Sequence, residues 1–166
     1  CLITDPQTTP FAKAFWQHTG LGASSRQAAI ALKKEKAPTS TESEAAQFKL
    51  RARLAEIYAC NPDFIQLHPS GMAALTTALQ TIRKLRPGRP CLQLGFPYVD
   101  VLKLPQFIFE GSDLLLEKET HKLEVELDKR QPAAVIVELP SNPMLECIDL
   151  KNVARMAHQR GIPVIA

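Results

Sequence analysis

Three short segments combine residue types suited to holding an anion beside a flat heteroaromatic ring. HPSGMAAL, His68 to Leu75, places Ser70, Gly71 and Met72 where a strand-like run gives way to an amphipathic one. The first N–H groups of a helix have no acceptor within it, its dipole is positive at that end, and a glycine lets an anion come close to the backbone. Phosphate binding is one use of such a junction. An ordinary helix start, with Ser70 as cap and Gly71 easing the turn, is the other. LPSNPMLE, Leu139 to Glu146, sets Asn142 between two prolines that fix the backbone, directly after the apolar run AAVIVEL. Its amide can meet a ligand at the carboxyl end of a strand, or the segment is a turn, which Ser-Asn-Pro makes readily. In LGFPYVDVLK, Leu94 to Lys103, Tyr98 can present its ring face to a ligand and its hydroxyl to proton transfer, or can pack at the rim of a core.

The elements that must carry these segments alternate. Phe64 to Leu67 reads as a strand, Gly71 to Arg86 as a helix, Pro90 to Leu94 as a strand and Val99 to about Leu104 as a short helix. Phe107-Ile108-Phe109 reads as a strand, Leu123 to Arg130 as a helix, Ala133 to Leu139 as a strand buried on both faces, Leu150 to Arg160 as a helix and Pro163 to Ala166 as the start of a strand. This order implies an α/β fold, a mostly parallel sheet flanked by helices, with ligands at the carboxyl ends of its strands. Before it, Cys1 to about Leu32 reads as a loop-like arm, and Lys33 to Ser43 is the best linker candidate. Ser43 or a neighbouring Thr is then expected to cap a helix running to about Cys60. Residues 1–43 are accordingly expected to be arm and linker, and residues 44–166 the beginning of the main domain. The chain stops within a strand-like run, PVIA, from which a fragment is expected.

A chain of 166 residues, 45% hydrophobic and 22% charged, has the composition of a globular domain with a sizeable core, which excludes collagen-like, disordered and membrane-spanning classes. The formal net charge of +3 is too small and too interspersed to imply a nucleic-acid or membrane partner. Cys1, Cys60, Cys91 and Cys147 form no metal pattern or disulfide framework, and the last three sit on apolar stretches as expected buried side chains. His18, His68, His121 and His158 fall at unrelated spacings that suggest no metal site, and His68 and His158 read as packing or surface residues. A reducing, cytoplasmic compartment is the expectation.

Taken in order, Ser70-Gly71-Met72, Gly95-Phe96-Pro97-Tyr98, the E-x-P-S-N-P pattern from Glu138 to Pro143 and the D-L-x-x-V-A-x-x-A-H-x-x-G stretch from Asp149 to Gly161 resemble the pyridoxal-phosphate enzymes of cysteine and methionine metabolism. The likeness covers about Phe64 to Ala166. GFPYVDVLK and the arm sequence GLGASSR are most similar to the fungal-type cystathionine gamma-synthase branch, while Tyr98-Val99-Asp100 departs from the Tyr-Gly-Gly of the commoner branch. The resemblance implies the large domain of a fold-type I pyridoxal-phosphate transferase. It also implies that Ser70, Gly71 and Met72 hold the cofactor phosphate, Tyr98 stacks on the pyridine ring and joins in proton transfer, and Asn142 hydrogen-bonds the ring's phenolic oxygen. Arg26 resembles the arm arginine that reaches the phosphate of a neighbouring subunit, so a homo-oligomer, dimer or tetramer, is implied as well. The family's cofactor-bearing lysine and pyridinium-pairing aspartate do not lie in this sequence, and this stretch alone is expected to be inactive. The implied reaction is γ-replacement on an activated homoserine ester by cysteine, with small amino acids as substrates. A gamma-lyase and a homoserine-ester sulfhydrylase share the same motifs, and a non-catalytic paralogue or scaffold would keep the α/β fold without the cofactor-bearing lysine.

Overall fold

The computed structural model describes residues 5–116 and 122–166. Cys1 and His121 lie outside them. The chain divides into two compact units, one holding the described residues up to Trp16 together with Gly20–Ala74, the other Gln17–Thr19 and Leu75–Ala166.

In the first unit, capping overrides composition. The arm read as loop-like contains α1 (Thr9–Thr19), with Pro10 in its first turn, and α2 (Ser25–Ala31). Ser24 caps α2 by accepting the Gln27 N–H, and the Gln27 side chain accepts the Ser24 N–H in return. The same reciprocal box, Thr39 with Glu42, starts α3 (Ser40–Tyr58). The end of the proposed linker is therefore helical, and of the two caps expected, Ser43 or a neighbouring Thr, it is a threonine, Thr39, that serves. Phe64 to Leu67 is not a strand: Asn61 accepts the Asp63 N–H and turns Pro62–Phe64 into a 3-10 helix, which fixes the run at its start.

The second unit is built on a four-stranded, wholly parallel sheet in the order β2-β1-β3-β4. Its strands are β1 (Cys91–Leu94), β2 (Ser112–Leu115), β3 (Val135–Val137) and β4 (Val164–Ile165). The register pairs Leu92 with Val135 and Leu94 with Val137, so these four side chains share one face. That face is covered by Leu123 and Leu127 of α6 (Leu123–Arg130) and by Val153, Met156 and Ala157 of α7 (Leu150–His158). Gln93 points to the other face, where its side-chain amide donates to the Leu102 carbonyl of α5 (Val99–Ile108) at 2.9 Å and to Ser112 Oγ of β2 at 2.8 Å. The helix α4 (Gly71–Leu85) precedes β1, and its Thr76 and Leu79 are fully buried. Burial on both faces explains why β1 and β3 read as near-continuous apolar runs.

The helix expected to end at about Leu104 and the strand expected at Phe107 to Phe109 fail for a common reason. Phe107-Ile108-Phe109 is not a strand, because α5 runs on through Pro105 to Ile108, burying Leu104 and Ile108 on one side while Phe107 stays exposed. The strand lies later, in Ser112–Leu115, whose half-polar sequence suits an edge. From β1 the chain goes to β2 on one side and then crosses to β3 on the other. The carboxyl ends of β1 and β3 thus flank a switch in strand order, the place where open α/β sheets bind ligands.

Candidate functional site

In the first unit the relevant feature is the amino end of α4. Ser70 Oγ accepts the Ala73 N–H at 3.1 Å and so caps the helix, and the same hydroxyl lies 3.4 Å from the Gly20 carbonyl oxygen. Gly20 ends α1 with φ +64°, and a Cβ there would approach Ser70 Oγ to 2.6 Å, Met72 Cβ to 2.7 Å and the Ala73 nitrogen to 2.9 Å. Only glycine fits so close to the start of α4. At Gly71 the opposite holds: an added Cβ would meet nothing within 4 Å. The N–H groups of Gly71 and Met72 head a helix of 15 residues whose first residue is exposed and has open space beside it. A phosphate ester, which needs N–H donors, positive potential and no intervening side chain, fits this opening.

In the second unit Tyr98 and Asn142 come together on the loops that follow β1 and β3. The Tyr98 N–H donates to Glu138 Oε2 at 2.7 Å, and the Asn142 N–H donates to the Phe96 carbonyl at 3.1 Å, so the two loops are laced across the switch in strand order. Ser141, only 3% exposed, closes the second loop on itself. Its N–H donates to the Glu146 carbonyl at 2.9 Å, its carbonyl accepts the Leu145 N–H at 2.9 Å, and its hydroxyl oxygen accepts the Glu146 N–H at 3.0 Å. The side chains of Tyr98 and Asn142 themselves are exposed, free to meet a ligand. The Asp100 carboxylate, first by hydrogen bonding to the protonated phenol and then by its negative charge, together with slight desolvation, pushes the Tyr98 phenol above its ordinary pKa.

Arg26 sits exposed in the first turn of α2, in the first unit. Of the three cysteines expected to be buried, only Cys91 is. Cys60 is half-buried and Cys147 is exposed, because it lies on the loop after β3 and not in a strand. Sequence reasoning gave no role to Glu138, Ser141, His18 or Asp100. Glu138 and Ser141 sat inside a quoted motif, but nothing local pairs His18 with Asp100, 82 residues away.

The second unit is an α/β domain of the ligand-binding kind, with its open loops at the switch in strand order. The chain belongs to the Cys/Met metabolism PLP-dependent enzymes, a family that matches residues 4–166, and members of that family work with pyridoxal phosphate (PLP). It is 31% identical over 164 residues to the L-2-amino-4-chloropent-4-enoate dechlorinase/desaturase of Streptantibioticus cattleyicolor, covering 90% of this chain and 33% of that protein. It is 31% identical over 111 residues to the cystathionine gamma-synthase of Neurospora crassa, covering 61% and 18%. A cystathionine gamma-synthase-like enzyme of Amanita muscaria is 35% identical over 104 residues, covering 56% and 17%. The chain thus spans a third or less of the length of these relatives. No solved structure matches it.

Proposed function

We propose that the protein is a PLP-dependent trans-sulfuration enzyme that replaces the γ substituent of an activated homoserine ester with the thiol of cysteine, giving cystathionine. The observation that carries this reading is the lacing of the Tyr98 loop to the Asn142 loop beside the switch in strand order. The likeness to the two fungal proteins supports the choice of reaction. Bound PLP supplies an electron sink for carbanions formed at the substrate's α and β carbons. The chain's own part is to bind and orient. The N–H groups of Gly71 and Met72 bind the phosphate, with Ser70 holding the helix start in shape. The ring of Tyr98 stacks on the pyridine and its hydroxyl holds or moves a proton near the substrate. The Asn142 amide donates to the phenolic oxygen of the ring. Arg26 reaches the phosphate held by a neighbouring copy, a task suited to a guanidinium fork.

That last role requires a homo-oligomer, dimer or tetramer. Phe11, Phe15 and Trp16 on α1 and Phe48, Ile57 and Tyr58 on α3 all stand exposed in the first unit, an apolar surface of the sort that subunit contact covers. We place the enzyme in the cytoplasm. Among the described residues no helix is long and apolar enough to cross a membrane.

A second reading, loss of the γ substituent without replacement, is favoured by one relative, whose name puts a chlorine on carbon 4 of a 2-amino acid. The test is to give the purified full-length protein an acyl homoserine and cysteine and to follow products by mass spectrometry. Cystathionine is expected. A 2-oxo acid with ammonia instead would establish a lyase, and acceptance of sulfide but not cysteine a sulfhydrylase. No turnover with cofactor fully bound would mark a non-catalytic paralogue.

A further inference from the structure

Within the second unit the backbone that leads from β1 to α5 is pinned residue by residue. The Gly95 N–H donates to the Leu115 carbonyl of β2 at 2.9 Å, the Phe96 carbonyl accepts the Asn142 N–H at 3.1 Å, Pro97 is buried, and the Tyr98 N–H donates to Glu138 Oε2 at 2.7 Å. Three of these restraints come from backbone bonds and burial. The fourth comes from a side chain, on the residue directly after β3 and 40 positions further along the chain. A short hydrogen bond to a carboxylate is among the stronger kinds, and this one falls where it is needed. Tyr98 is the N-cap of α5, its own side chain makes no capping bond, and an anion at a helix start also meets the positive end of the dipole. The pairing of β1 with β3 ends at Leu94 with Val137, so the two chains would part just beyond it. Glu138 bridges that parting, and it opens the same loop that carries Asn142.

We propose that Glu138 is a positioning residue: its carboxylate fixes the backbone of Tyr98, and hence the point from which the ring is presented, relative to the Asn142 amide. The inference rests on the roles proposed above for Tyr98 and Asn142. A ring and an amide held at a set spacing meet a flat ligand together, so less entropy is lost on binding and the ligand has less freedom to sit askew. Glu138 does this through the chain, without touching the cofactor or the reacting atoms.

The experiment uses the full-length protein and five variants: Glu138→Gln, Glu138→Asp, Glu138→Ala, Tyr98→Ala and the double variant Glu138→Ala with Tyr98→Ala. Gln carries an acceptor oxygen on a side chain of the same length, Asp keeps the charge but draws the oxygen back, and Ala removes it. In cofactor-free protein, hydrogen exchange is read by mass spectrometry on a peptide spanning Gly95 to Lys103. It should be slow in wild type and Glu138→Gln and faster in Glu138→Ala; equal exchange in wild type and Glu138→Ala overturns the contact. With PLP added, Glu138→Ala is expected to bind the cofactor about tenfold more weakly and to alter its visible circular dichroism, while Glu138→Gln restores both. A Gln variant as impaired as the Ala variant overturns the hydrogen-bonding role. In the Tyr98→Ala background the Glu138→Ala change should lose most of its effect on PLP affinity, and an undiminished penalty there means that Glu138 serves the fold alone, which overturns the proposal. If Glu138→Ala does not fold, the other pair decides: Glu138→Asp should be impaired where Glu138→Gln is not, and equivalence of the two overturns the role. Should exchange respond as expected while Tyr98→Ala leaves PLP affinity and dichroism untouched, the role of Tyr98 itself is refuted and the positioning role falls with it.

Discussion

Two glycines of the first unit put opposite demands on a side chain. Gly20 adopts φ +64° against Ser70, Met72 and the Ala73 backbone, so Gly20→Ala combines backbone strain with a clash that backbone atoms cannot relieve. Urea denaturation should show a loss of about 1–3 kcal/mol; an unchanged midpoint would mean that α1 does not close on the start of α4 as described. Cys91 makes a different prediction. Burial pushes its thiol from an ordinary 9.0 up to about 12, against a smaller opposing hydrogen bond from the Leu92 N–H. Below pH 9 folded and unfolded chains both carry the proton. As pH rises from there toward 12 the unfolded chain loses it first, binds fewer protons than the folded one, and stability falls. Denaturation at about pH 8 and about pH 10 should therefore show a decline that is smaller in Cys91→Ala. An equal decline in both would leave Cys91 without that role.

Loops after strands, rather than strands or helices themselves, hold the second unit's candidate residues, and Ser141 is what gives its loop a shape. Removing its hydroxyl takes the acceptor from the Glu146 N–H, so Ser141→Ala should weaken cofactor binding by about tenfold, which corresponds to about 1.4 kcal/mol, within the usual net worth of one hydrogen bond. Unaltered affinity would show that Asn142 needs no such support. At this scale the sequence was readable where burial is two-sided or periodic: α4, α6, α7, β1 and β3 lie close to where apolar runs and helical spacing put them. It misled where β-rich residues finish a helix, as at Phe107 to Phe109, and where an Asn cap bends an apolar run, as at Phe64 to Leu67. The capping boxes at Ser24 and Thr39 were present in the sequence but outweighed by Pro and Ser content. For the candidate site, Tyr98 and Asn142 were visible because each follows a strand. His18 was not, because its pairing with Asp100 exists only after the chain has folded.

For the whole molecule, the reading of Arg26 and of the apolar α1 and α3 surfaces as subunit contacts predicts an oligomer. Sedimentation at micromolar concentration should give a dimer or tetramer, and Arg26→Ala should retain the assembly while binding PLP less tightly; a fully active monomer would refute both roles. The central claim is that PLP is held through its phosphate at the start of α4. Because a Cβ at Gly71 meets nothing within 4 Å beyond its chain neighbours and its own helix turn, Gly71→Val should leave the fold intact, changing stability by no more than about 1 kcal/mol, while its branched Cβ fills the space the phosphate needs. The decisive measurement is the visible absorbance of cofactor bound to full-length wild-type and Gly71→Val protein, taken with their urea midpoints. The account predicts a yellow wild type and a variant of nearly equal midpoint that is depleted of cofactor. A Gly71→Val protein that stays fully loaded would contradict it.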